Sequence, residues 1–402
     1  MILGRHLEPI IARYIREYPV LSIVGPRQSG KTTLARKLFP KHEYISLENL
    51  DLRRQADEDP RGFFDDHSGP LILDEVQRVP GLFSYLQERV DLKGTPGKYV
   101  LTGSQQFLLV EKITQSLAGR VANFRLLPFT EAEIQGRPPD RDIPSLFQFK
   151  PGVFRSNSPG SSARLMLSGF YPRIYDQHLD AHKWLENYVL TYVERDIRSL
   201  VNLGDLKTFE AFLRICASSS GQLLNLSAIG SSVGVSQPTA KRWLSLLETS
   251  GIVFLLQPHH KNFRKRLVKT PKLYFVDTGL LCFLLSIKTE AELISHPLYG
   301  AVFETLVVGE IYKRIVNLGE EPRLFFWRDK TGHEIDLLVD FGKTVLPIEI
   351  KSSRTHSSSF TEGIQKWLRL QGKSAAKGLV LYDGKQAVGQ TGDLPVVPWW
   401  CL

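Results

Sequence analysis

At 402 residues the chain is too long for one ordinary core, and two or three domains are expected. The composition is globular, 42% hydrophobic and 23% charged, and a net charge of +9 favours an acidic partner, nucleic acid first, although charge kept for solubility gives the same balance. Cys216, Cys282 and Cys401 form neither a zinc spacing nor a disulfide framework, the N-terminus lacks a signal-peptide core, and no apolar run approaches the roughly 20 residues that span a bilayer. A cytoplasmic protein without a membrane partner is therefore expected.

Residues 1–18 read as an amphipathic helix, with Leu7, Ile10, Ile11, Tyr14 and Ile15 on one side. The apolar run Val20-Leu21-Ser22-Ile23-Val24 has the length of a buried strand. It leads into Gly25-Pro26-Arg27-Gln28-Ser29-Gly30-Lys31-Thr32, which fits G-x-x-x-x-G-K-[ST]. From Thr33 to Phe39 a helical pattern follows. This strand–loop–helix context suits phosphate binding, because the loop N–H groups and the helix N-terminus converge on one anion. Lys31 then reaches the outer phosphates, Thr32 ligates magnesium, and Thr33 ends the nucleotide-contacting run. ATP and Mg2+ are the expected ligands.

Glu43 to Leu47 is a second strand, followed by a charged helix that Pro60 stops. Leu71-Ile72-Leu73-Asp74-Glu75 is an apolar strand ending in two acids. In phosphate-loop ATPases an acid at this strand end holds the magnesium shell, which assigns Asp74. Glu75 is placed to take a proton from the attacking water. Tyr99 to Gly103 is another apolar strand, and Ser104 and Gln105 after it can position that water. A helix then ends at Leu117-Ala118-Gly119-Arg120, before a strand at Val121. Arg120 has two readings: a surface arginine after a helix cap, or a residue that completes a neighbouring subunit's site.

Pro19-Val20 with GPRQSGKTTL, LILDEVQRVP, LTGSQ and SLAGR, then Gly169-Phe170-Tyr171-Pro172 and Tyr274-Phe275-Val276-Asp277-Thr278-Gly279, resembles a bacterial and archaeal family of AAA-type ATPases. Members of that family carry a C-terminal domain of unknown function. The resemblance covers nearly the whole chain and implies an α/β phosphate-loop ATPase domain. It also implies a homo-oligomeric ring, such as a hexamer, since sites of this type commonly lie between subunits.

The ATPase domain is expected over 1–140. Residues 141–164 read as a linker, rich in proline and closing on a Ser/Asn/Gly run. A helical linker and winged-helix domain is expected over 165–275. Within it Leu226 to Leu244 reads as helix, turn, helix, with Ser236 as N-cap and Pro238 in the first turn. Gln237, Thr239, Lys241 and Arg242 fall where such a fold presents side chains to a DNA major groove. The hairpin beginning at Gly251 is basic, with Lys261, Arg264, Lys265, Arg266, Lys269 and Lys272 and no acid from 257 to 276. Phosphate contact is one reading of it, and a protein-docking or lid element the other.

Residues 276–402 form the third expected domain. A helix near 300–312 carries Glu304 inside an apolar stretch, with Glu310 in reserve. Strands follow at 324–328, 332–339 and 345–351. Asp336 on one strand, then Glu349 and Lys351 on the next, resembles the PD-(D/E)xK nuclease core of the archaeal Holliday-junction resolvases, without its proline, since Ile335 precedes Asp336. The resemblance implies an α/β restriction-endonuclease-like domain in which Glu304, Asp336 and Glu349 hold a second divalent ion, Mg2+ or Mn2+, and Lys351 orients water. An active nuclease on branched DNA or DNA ends and a degenerate, binding-only copy both fit these residues.

Overall fold

The protein's structure, a computed structural model, describes residues 3–103, 117–148, 160–192, 206–259, 269–329, 331–371, 377–386, 388–391 and 394–402. Two sheets organise it. The first holds five parallel strands: β1 (Val20–Val24), β2 (Glu43–Ser46), β3 (Leu71–Asp74), β4 (Tyr99–Gly103) and β5 (Val121–Arg125), in the order β2-β3-β4-β1-β5. The central strands are apolar throughout because both faces of a parallel sheet are covered. Val20 and Val24 pack on one side with Leu71, Leu73 and Leu101. Leu21 and Ile23 pack on the other with Ile72, Val100 and Phe124.

Local signals explain most of the helices around it. Asn49 caps the helix Leu50–Glu58 by accepting from the amides of Asp51 and Leu52. Pro60 does end that helix, but it also opens another, Pro60–Asp66, where its fixed φ and missing N–H suit the first turn. The N-terminal helix is shorter than its pattern suggests, Glu8–Tyr14, and buries Leu7 and Ile11 against the sheet.

The second sheet has eight strands in the order β12-β13-β11-β10-β9-β8-β6-β7. They are β6 (Val253–Pro258), β7 (Lys272–Phe275), β8 (Leu324–Arg328), β9 (Glu334–Asp340), β10 (Val345–Lys351), β11 (Leu379–Tyr382), β12 (Val388–Thr391) and β13 (Leu394–Pro398). The antiparallel pair β6–β7, read from sequence as a separate hairpin, joins the C-terminal strands through the parallel contact of β6 with β8. The sheet thus crosses the expected boundary between 275 and 276. Helix Tyr299–Asn317 covers one face and is buried along nearly its whole length. Helix Glu362–Gln371 covers the other with Ile364 and Trp367.

The two sheets are tied together by polar groups inside the structure. The last residue of β5 and residues after it dock on helix Tyr299–Asn317. Arg125 donates to the Tyr312 hydroxyl at 2.6 Å, Lys313 to the Phe129 carbonyl at 2.7 Å, and Arg314 to Asp140 at 2.8 Å. Glu310 accepts from the amide of Glu131 at 3.0 and 3.1 Å. It is therefore committed to this seam and is no reserve for the acid cluster around Asp336.

Candidate functional site

The phosphate loop leaves the C-terminal end of β1. Gly25 has a φ of 154°, and a Cβ there would overlap the Leu126 carbonyl, so the close crossing of loop and β5 needs glycine. Gly30 is left-handed, with φ 91°, and starts the helix Lys31–Leu38. Gln28 is also left-handed, with φ 62°. Lys31 folds over its own loop, donating to the carbonyls of Gly25 at 3.1 Å and Pro26 at 2.8 Å. Ser29 is wholly buried, and its hydroxyl has no hydrogen-bond partner.

Asp74 ends β3 next to the loop and gathers three hydroxyls. Thr32 donates to its two oxygens at 3.1 and 3.3 Å, Tyr44 donates at 2.8 Å, and Thr102 of β4 also donates. A threonine hydroxyl and a carboxylate side by side, beside loop N–H groups, form a hard-oxygen set of the kind magnesium takes. The residues present therefore fit a magnesium–nucleotide pair. Glu75 follows in a left-handed conformation, φ 56°, and accepts from the side-chain amide of Gln77. Tyr44 and Gln77 carried no sequence motif. Only the position of Tyr44 on β2 could have pointed to it: Ser46 pairs with Asp74, and Tyr44, two residues earlier, shares its face.

The loop is enclosed by residues far from it in sequence, some in its own domain and some beyond it. Arg5 donates to the Ser29 carbonyl at 2.8 Å and to Glu133 at 3.0 Å, with its guanidinium over the Phe129 ring. On the other flank a Cβ on Gly251 would lie 3.0 Å from Pro26. A cavity of about 220 Å³ opens beside Gln28, Gly30 and Thr33, walled by Arg5, Phe129 and Pro172.

Arg120 lies elsewhere. It precedes β5, its carbonyl accepting from the amide of Val20 at the start of β1, so it sits at the opposite strand end from the loop of its own chain. Its guanidinium pairs with Asp91, at 3.0 Å for one contact, and donates to the Ala118 carbonyl at 3.0 Å. Ser104 and Gln105 lie outside the described residues, as do Lys261, Arg264, Lys265 and Arg266.

In the expected helix–turn–helix, helices Leu226–Ser232 and Gln237–Thr249 form as read, and Ser236 caps the second by accepting from the amide of Thr239. Gln237, Lys241 and Arg242 are exposed, Thr239 is half-buried, and Trp243, Leu244 and Leu247 face the core. Lys272 corrects the sequence reading. It is 3% exposed and paired with Glu304 at 3.0 Å and with Glu334, so it offers nothing to a phosphate.

Asp336 and Glu349 meet on neighbouring strands, one step past the pair Leu337–Ile348. Their carboxyl groups hydrogen-bond to one another, Asp336 also accepts from the amide of Ile350 at 2.8 Å, and Lys351 pairs with Glu349 at 2.9 Å. Burial, with Asp336 adding to it, pushes Glu349 up to about 8. Desolvation and a like charge nearby both disfavour a carboxylate, which accounts for that direction. Burial opposes the charge of Lys351, but Glu349 and Asp336 outweigh it and hold that ammonium above its ordinary value.

Glu304 feels the charge of Asp336 but has hydrogen-bond partners of its own. It accepts from Lys272 and from the Tyr274 hydroxyl, and burial raises it to about 7 against the pull of Lys272. Among the described residues no group of three or more His, Cys, Asp or Glu is arranged to hold a metal ion. The expected set of Glu304, Asp336 and Glu349 is thus not arranged as a metal site among the described residues: Lys272 lies against Glu304, and Lys351 against Glu349.

Residues 17–135 match a family described as an AAA domain. Residues 161–291 and 299–402 match two domains of unknown function, DUF8612 and DUF4143. Uncharacterized proteins of Mycobacterium bovis and Mycobacterium tuberculosis are each 32% identical over 395 residues, covering 96% of this chain and 82% of the relative. A Walker-type ATPase of Pyrococcus abyssi aligns with a TM-score of 0.43 at 14% identity, over 71% of this chain and 96% of that one. A RuvB variant of Thermotoga maritima aligns with a TM-score of 0.30 at 17% identity, over 63% and 89%. Both structural likenesses are loose. Among the described residues no helix is long and apolar enough to cross a membrane.

Proposed function

Because the chain belongs to the family of the two mycobacterial proteins and holds an AAA-type ATPase domain of the P-loop class over residues 17–135, we propose that it hydrolyses ATP to act on DNA, as branched DNA or DNA ends. The loop from Gly25 to Thr33, through its N–H groups (Pro26 has none), and the Lys31 ammonium hold the phosphates, and Thr32 and Asp74 hold Mg2+. Magnesium, when bound, offsets phosphate charge as it moves to the leaving group. Glu75 takes a proton from the attacking water, which Ser104 helps to orient. In a homo-oligomeric ring Arg120 acts on the neighbouring subunit's site. Its place at the far strand end of its own chain supports action outward rather than on its own loop.

The DNA reading rests on one observation above the rest: Asp336, Glu349 and Lys351 stand together on β9 and β10, as a PD-(D/E)xK nuclease core requires. Around it we place a winged helix. Its recognition helix presents Gln237, Thr239, Lys241 and Arg242, and its wing contributes Lys261, Arg264, Lys265 and Arg266 to phosphates. The test is binding of labelled branched and linear duplex DNA at rising salt. Affinity is expected to fall steeply, since each phosphate contact releases counterions, and alanines at 264–266 are expected to flatten the slope. Salt-independent binding, or an unchanged triple variant, overturns the reading.

A second reading is favoured by Lys272, whose buried amine lies between Glu304 and Glu334. There the C-terminal half is a binding module of a regulatory ATPase, docks a protein partner and does not cleave.

A further inference from the structure

Three hydroxyls converge on Asp74, and they are not equivalent. Thr32 belongs to the phosphate loop, and its hydroxyl has a second task once a nucleotide and its cation arrive. Tyr44 and Thr102 come from the strands on either side of β3, and neither belongs to the loop. Resting on the nucleotide reading above, we propose that Tyr44 is a positioning residue: with Thr102, it holds the Asp74 carboxylate in its magnesium-facing orientation when Thr32 lets go.

The geometry supplies the reasons. Asp74 is 8% exposed, so little water reaches it, and its rotamer is set by what donates to it. The contacts from Thr32 are long, 3.1 and 3.3 Å, as suits a bond that is exchanged; the contact from Tyr44 is 2.8 Å. Tyr44 is itself held. It lies on β2, and the Arg36 guanidinium packs 5.0 Å over its ring from the helix that follows the loop. Its phenol reaches across to the end of β3, where Ser46 and Asp74 are strand partners. A phenylalanine there keeps the ring and the packing and removes only the donor. A carboxylate that loses a charge-assisted donor is free to rotate away from the cation, and the second shell of a metal site commonly costs 10–100-fold in metal affinity when removed.

The experiment measures ADP affinity at equilibrium, once in excess chelator and once in excess MgCl2, for wild type, Tyr44→Phe, Asp74→Asn and the double variant. Magnesium is expected to tighten ADP in wild type. Tyr44→Phe is expected to lose about tenfold of that tightening, with unchanged affinity in chelator. On the Asp74→Asn background Tyr44→Phe is expected to change nothing further, because its role runs through Asp74. Thr102→Val, a second isostere, is expected to share the magnesium-specific loss, and thermal melts check each fold. Equal losses with and without magnesium, a further loss in the double variant, or an unaltered magnesium effect in Tyr44→Phe would each overturn the proposal. Failure of wild type to bind ADP at all would sink the nucleotide reading, and the role of Tyr44 with it. Magnesium-tightened binding that Tyr44→Phe leaves intact sinks the role of Tyr44 alone.

Discussion

Arg5 donates to the carbonyl of Ser29 at 2.8 Å, so a residue ahead of the first strand and outside the AAA-matched segment fixes the centre of the phosphate loop. The same guanidinium reaches Glu133 at 3.0 Å and the Leu127 carbonyl, all inside the structure. Removing one partner of such a buried pair typically costs about 3–5 kcal/mol, because the remaining charge is left without compensation. Arg5→Ala is therefore expected to lower the unfolding free energy by that order and to weaken nucleotide binding. Chemical denaturation and ADP titration check the two.

Glu133 gives this hub a pH signature. Burial works to raise its pKa, but Arg5, His6 and backbone amides outweigh it, and the carboxyl lies below the ordinary glutamate value of 4.5. A lowered native pKa means that the unfolded chain binds more protons over the window between the two values. The stabilisation is present in full above pH 4.5 and is lost as pH falls through the lowered value. Glu133→Gln is expected to be less stable at neutral pH and to lose less stability on acidification. Denaturation midpoints from pH 7 to pH 3 measure it, and parallel curves for both proteins would remove Glu133 from the account.

Lys31 and Glu75 separate binding from turnover. Lys31 now donates to the carbonyls of Gly25 and Pro26 and must swing outward to meet phosphates, whereas Glu75 lies past Asp74 and is held by Gln77. Lys31→Ala is expected to abolish nucleotide binding. Glu75→Gln is expected to bind ATP and release phosphate at least about 100-fold more slowly, the scale of one general base. Normal turnover by Glu75→Gln would show that the proton goes elsewhere.

Arg120 calls for a mixing experiment, since it sits away from its own loop. Chains carrying Arg120→Ala and chains carrying Lys31→Ala are each expected to be inactive alone. Mixed in one assembly, they form some interfaces with an intact loop on one side and an intact arginine on the other, and ATPase activity should reappear. No recovery at any ratio, with both chains folded and assembled, would leave Arg120 as the surface partner of Asp91 that it is within one chain.

Much of the first sheet was legible because its signals are local. A five-residue apolar run, a loop with two required glycines and a strand ending in two acids each report on themselves, and β1 runs over Val20–Val24 as read. What escaped depends on contacts far apart in sequence. Arg5 and Ser29 meet only once the first domain has folded, and Arg125 and Tyr312, like Glu131 and Glu310, only after two domains dock; no periodicity encodes either. Lys272 misled for the same reason. In a run of bases without acids it reads as solvated, but the acids that claim it, Glu304 and Glu334, arrive from a later helix and strand. The spacing of Asp336, Glu349 and Lys351 did find a real cluster. It did not show which cation would sit there, since proton, lysine and metal all answer the same excess of negative charge.

That ambiguity sets the last prediction. If the cluster at β9 and β10 takes a divalent ion, Lys351 must yield Glu349 and Lys272 must yield Glu304. Asp336→Ala and Lys351→Ala are then each expected to stop cleavage of branched DNA in Mg2+ or Mn2+ while ATP hydrolysis continues, because the phosphate loop lies on the other sheet. Gly363→Ala offers a subtler probe. A Cβ at that position on helix Glu362–Gln371 would overlap one oxygen of Glu349 and displace its carboxyl without removing it. Cleavage is expected to fall in Gly363→Ala, with partial recovery at higher Mn2+. Lys272→Met, which removes the competing amine and keeps its apolar stem, tests the rival cation directly. If the lysine stands in place of a metal, this variant should lower thermal stability in the absence of divalent ions, and added Mn2+ should restore more of it than in wild type. Cleavage that survives Asp336→Ala would mean a contaminant or a different site, and its absence from wild type at every Mg2+ and Mn2+ concentration would leave the C-terminal half as a binding module.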